Sequence, residues 1–67
     1  MNALLLEMKM KEADVSVEEM SKCLGIDSST FYRKKKGLSD FTRKEIQKMR
    51  NKLNLSSKDV VDIFFND

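Results

Sequence analysis

The 67-residue chain has no proline, no histidine, one cysteine and two glycines. Without proline, and with only Gly25 and Gly37 as glycines, it reads as four or five short helices joined by tight turns, not as a strand-rich fold. The lack of histidine removes the usual general base and most zinc sites, so no enzyme activity, metal, cofactor or small-molecule substrate is expected. Cys23 has no second cysteine for an intrachain disulfide, and its spacing makes it a small packing residue. No apolar run approaches the roughly 18 residues of a membrane span, and the chain does not open like a secretory signal. The expected setting is the cytoplasm, with no membrane partner. One core is expected over 1–67, and at this size every large apolar side chain is needed to sustain it.

What the chain does have is charge, distributed unevenly. Residues 1–30 carry three lysines against six acids, a net −3. Residues 31–52 carry nine basic groups against Asp40 and Glu45, a net +7, and residues 53–67 return to −2. A basic block between acidic flanks has the form of a phosphate footprint, because neutralised phosphates release counterions and so drive binding. A merely solvated basic face has the same composition.

Helix boundaries are legible from capping residues. Asn2 caps a first helix to about Ala13, with Leu5, Met8 and Glu12 on one stripe and Leu6, Met10 and Ala13 on the next. Ser16 and Glu19 form the pattern of a capping box for a helix over about 17–24, in which Met20 and Leu24 face inward. Gly25 suits the left-handed end of that helix. Asp27 caps a third helix from Ser28 to about Lys36, closed by Gly37, with Phe31 as its apolar anchor. Thr42 and Glu45 form a second box, opening a helix with Ile46, Met49 and Leu53 on one side. Ser56 and Asp59 cap the last helix, whose Val60, Ile63 and Phe64 face the core.

The third helix has the chemistry of a major-groove reader. Ser28, Ser29 and Thr30 are short hydroxyl residues that allow close approach, and the Arg33 fork matches guanine O6 and N7. Tyr32 and Arg33 follow one turn after Ser28 and Ser29, so these four are expected on the outward side, opposite Phe31.

From Ser16 to Gly37 the chain reads Ser16-Val17-Glu18-Glu19-Met20-Ser21-Lys22-Cys23-Leu24-Gly25-Ile26-Asp27-Ser28-Ser29-Thr30-Phe31-Tyr32-Arg33-Lys34-Lys35-Lys36-Gly37. This stretch resembles, without gaps, the helix-turn-helix of the phage repressor and Cro family, the lambda repressor-like or XRE domains. Ser21 takes the family's small position at the helix crossing, Gly25 the turn and Phe31 the buried position. Leu53-Asn54-Leu55-Ser56 is similar to the family's junction before its final helix.

The resemblance implies an all-α, compact five-helix domain with the helix-turn-helix unit at about 17–36. It also implies a transcriptional regulator of phage or prophage type that binds double-stranded DNA in a bacterial cytoplasm or nucleoid. Ser28, Ser29, Tyr32 and Arg33 would face base edges, and Val17, Lys36, Arg43 and Lys44 would hold phosphates. A homodimer on DNA would use Leu55, Ser56, Phe64 and Phe65.

Some positions depart from the family pattern. Val17 replaces a common glutamine, leaving only the backbone amide for contact. The ion pair that relatives make between an arginine at the position of Met10 and a glutamate at that of Lys35 is missing. Lys34 stands where an apolar residue is usual, so its stem is expected to cover the core while its ammonium reaches solvent or phosphate.

Other readings stand beside these. Tyr32 also suits a surface plug, and Lys34 to Lys36 a solubilising helix end that complements the dipole. Phe65 is either core or dimer seam. A protein-interaction module that keeps the fold, antirepressor or antitoxin-like, is the alternative function.

Overall fold

The computed structural model describes residues 1–65 and contains five α-helices: α1 (Ala3–Glu12), α2 (Val17–Leu24), α3 (Ser28–Lys35), α4 (Arg43–Leu53) and α5 (Ser57–Phe64). Each starts on a side chain that accepts an otherwise unpaired amide. Asn2 accepts from Leu5, Ser16 from Glu19, Asp27 from Thr30, Thr42 from Glu45 and Ser56 from Asp59. The capping box is reciprocal at α4 and α5. At α2 only the Ser16 half forms: Glu19 does not return to the Ser16 amide, and its carboxylate lies 3.8 Å from Lys52 Nζ on α4.

One device ends the first four helices. A residue with positive φ stands just past each, namely Asp14 (56°), Gly25 (73°), Gly37 (87°) and Asn54 (53°). The amide after it donates five residues back: Val15 to Met10 O, Ile26 to Ser21 O, Leu38 to Arg33 O and Leu55 to Arg50 O, at 2.9–3.0 Å. This pairs carbonyls that the helix end would leave open and turns the chain sharply.

The core gathers Leu6 and Met10 of α1, Met20 and Leu24 of α2, Phe31 of α3, Met49 and Leu53 of α4, Leu55, and Ile63 of α5. Phe41 extends it: its ring lies 5.6 Å from Phe31 and meets Phe64 edge-on at 6.0 Å. The start of α1 meets α5 where the Asn2 amide donates to Ile63 O. Of the two stripes on α1, that of Leu6 and Met10 is the buried one; Met8 is 53% exposed, because at ~100° per residue it lies about 200° round α1 from both. Ala13 is also exposed, just past the end of α1. Among the described residues no helix is long and apolar enough to cross a membrane.

Candidate nucleic-acid interface

The three-residue turn Gly25–Asp27 joins α2 to α3, and Phe31, fully buried, fixes the inner side of α3. Opposite it, Ser29, Arg33 and Lys36 are exposed and follow one another at four and three residues, a single stripe along the helix. Asp27 organises the start of that stripe. One of its carboxylate oxygens accepts from the Thr30 amide at 3.1 Å and from Ser29 Oγ at 3.2 Å. The hydrogen bonds from Thr30, and then that from Ser29, hold the Asp27 carboxyl below its ordinary range. The Ser29 hydroxyl remains free to accept.

Ser28 and Tyr32 lie to one side of the stripe. Ser28 is half-buried at a hollow shared with Ser16, Glu18 and Lys22. Tyr32, 45% exposed, lines a cleft with Met10, Asp14, Val15 and Val17. The four expected base readers thus divide into two pairs, since Ser28 is rotated about 100° and Tyr32 about 60° from Ser29.

The basic block divides as well. Lys34 Nζ lies 2.7 Å from Glu45 Oε1, with side-chain exposures of 14% and 10%, and 6.0 Å from the centre of the Phe41 ring. The expectation that the Lys34 stem covers the core holds, but its ammonium goes to Glu45 and not outward. Burial pushes the Glu45 carboxyl up, but the Lys34 ammonium and the Thr42 amide bring it net below its usual value.

Lys35 Nζ is 2.8 Å from Glu7 Oε1. This pair joins α3 to α1. Among the described residues, Arg33, Lys36, Arg43, Lys44 and Lys48 of the basic block are exposed and make no ion pair. Arg43 and Lys44 occupy the first turn of α4.

At the start of α2, Val17 packs against the core and the first turn already carries Glu18 and Glu19. Two carboxylates at the positive end of a helix favour that helix and oppose a phosphate there. Val17 is thus flanked by carboxylates, whereas the stripe carries Arg33 and Lys36.

The residues expected at a dimer seam do not form one surface. Leu55 is 5% exposed and belongs to the core, drawn in by the left-handed turn at Asn54, and the Ser56 hydroxyl caps α5. Phe64 is half-buried on Phe41, and Phe65 alone of the four offers a broad apolar surface, at 65% exposure.

Two contributors escaped the sequence reading. Glu7 gives no local signal, since its partner lies 28 residues on. Phe41 was readable: it precedes the Thr42 cap, and Ile46 stands at the fourth helical position, the spacing of a hydrophobic staple. Comparison with known proteins found no matching family model, no matching curated protein and no matching solved structure.

Proposed function

We propose that this chain is a sequence-specific DNA-binding transcriptional regulator of phage Cro or repressor type, which reads an operator in the major groove with α3. The observation that carries this reading is the stripe of Ser29, Arg33 and Lys36 on a helix anchored from behind by Phe31. Arg43, Lys44 and Lys48 supply further uncommitted positive charge. Arg33 is the principal base reader, as its fork fits guanine, and the Ser29 hydroxyl, which donates to Asp27, accepts beside it. Lys36, Arg43 and Lys44 hold phosphates and give affinity without sequence preference. Ser28 and Tyr32 read at the margin of the site. Val17 is a weaker phosphate contact than the others, given the acidic turn around it. Such a regulator works in a bacterial cytoplasm or nucleoid, and binds as a homodimer where its operator is a palindrome.

Selection of bound sequences from random duplex DNA tests the reading. Arg33→Ala should cost about 1–3 kcal/mol on the selected site and relax one base preference, whereas Lys36→Ala should weaken all sequences alike. Wild-type binding by both variants would refute the assignment. A protein-interaction module is favoured by one observation: Leu38, Val61 and Phe65 are 73%, 54% and 65% exposed. That alternative gains if duplex DNA fails to shift the protein even at low salt.

A further inference from the structure

Lys35 occupies an unusual place for a lysine on a basic surface. Its side chain is only 12% exposed, its ammonium lies 2.8 Å from Glu7 Oε1, and the same ammonium sits 4.8 Å from the centre of the Tyr32 ring. Glu7 belongs to α1, while Lys35 and Tyr32 are one turn apart on α3. The three groups meet along the cleft between the end of α1 and the start of α2. A cation within about 6 Å of an aromatic centre is attracted to the ring face, and a carboxylate paired with that cation restricts where it sits. Tyr32 has few other constraints, being nearly half exposed and bonded by its hydroxyl to no described residue.

We propose that Glu7 is a positioning residue: through Lys35 it sets the orientation of the Tyr32 ring beside the α3 stripe and holds Lys35 away from bound phosphate. The proposal rests on the DNA-binding reading for its consequence, but the clamp itself is a property of the free protein. Two effects follow. The ring is presented in one orientation, so that whatever it touches is touched consistently. Lys35, although inside the basic block, does not add to non-specific affinity while Glu7 holds it.

The chain has one tyrosine and no tryptophan, so its intrinsic emission reports Tyr32 alone. In the free protein, Glu7→Gln should raise acrylamide quenching of that emission about twofold, since an exposed cation–π contact biases a ring by roughly two- to fivefold. The charge-reversed double variant E7K/K35E should recover the thermal midpoint lost in Glu7→Gln. Its quenching should stay high, because a carboxylate over the ring face is repelled. A merely structural ion pair predicts recovery of both. Unchanged quenching in Glu7→Gln, or its full recovery in the double variant, would overturn the clamp.

On DNA, Glu7→Gln should steepen the salt dependence by about one phosphate contact as Lys35 is released, and alter preference at one base position. An unchanged salt slope and unchanged preference in a variant that still binds would overturn the role at the interface. Failure of the wild-type protein to bind any duplex would instead sink the DNA reading, with the quenching result still deciding the clamp.

Discussion

Ser21 shows how a single atom can work against the fold. It is 3% exposed, and its Oγ has no hydrogen-bond partner among the described residues. An unsatisfied buried hydroxyl costs about 1–3 kcal/mol, and serine in a helix interior is also poorer than alanine by roughly 0.5 kcal/mol. The site demands a small side chain, which alanine satisfies as well. Ser21→Ala should therefore raise stability by about 1.5–3.5 kcal/mol, seen as a higher urea midpoint with an unchanged slope. A lower midpoint would mean that the hydroxyl has a partner, such as an ordered water. That residue 21 is small is plain from the sequence, but its unpaired hydroxyl was not legible, because hydrogen bonding depends on neighbours that no local pattern names.

The elements were legible to within a residue or so, because capping is local chemistry: a side chain, an amide three residues on, and a left-handed residue at the far end. Lys34, Lys35 and Glu19 were not legible in the same way. Their partners are Glu45, Glu7 and Lys52, which lie 11, 28 and 33 residues away. Charge counting located the basic block but could not tell the cations held by carboxylates from those left exposed without an ion pair.

The closures can be ranked by substitution. A Cβ at Gly25 would meet nothing within 4 Å, so Gly25→Ala isolates the cost of the left-handed backbone, about 1 kcal/mol. Asn54 already tolerates that conformation, at φ 53°. Asn54→Ala should cost a similar amount, while Asn54→Gly should stay within about 0.5 kcal/mol of wild type, relief of strain offsetting a freer unfolded chain. Urea unfolding of the three variants would decide this. Equal losses for Asn54→Ala and Asn54→Gly would show that the asparagine side chain, not the backbone, matters.

For the whole molecule, the caps and ties set a pH range. Asp27, Glu45 and Asp59 all have carboxyls below their ordinary values: hydrogen bonds from Thr30 hold Asp27 down, and the Ser56 amide holds Asp59 down. At Glu45, burial acts the other way and is outweighed by Lys34 and Thr42. A carboxyl lowered in the folded state binds its proton more readily when unfolded, so its stabilisation is complete above the unfolded value and is lost as pH falls through the folded one. With no histidine, stability should be level from about pH 5 to 8 and decline below about pH 4. Lys58 has the opposite sign: its hydrogen bond to Asp62 raises it, so its contribution is complete below the ordinary lysine value and lost as pH climbs through the raised one. Thermal midpoints measured across pH would check both limbs, and a marked step near pH 6.5 would contradict this account.

The recurrent left-handed closure also bears on how quickly the chain finds its fold. Each five-residue-back hydrogen bond reaches only into the helix it ends, so the direction of the outgoing chain can be set locally, without a distant partner. The search that remains is the docking of five short rods, joined by connections of three to seven residues, onto a centre at Phe31 and Phe41. Closing loops of about ten residues takes ~10–100 ns, and helical domains dominated by local contacts fold in microseconds to milliseconds. Temperature-jump relaxation should fall in that window, and weakening the Gly25 closure should slow refolding more than it speeds unfolding. Turn geometry in this molecule is thus expected to govern a rate as well as a shape.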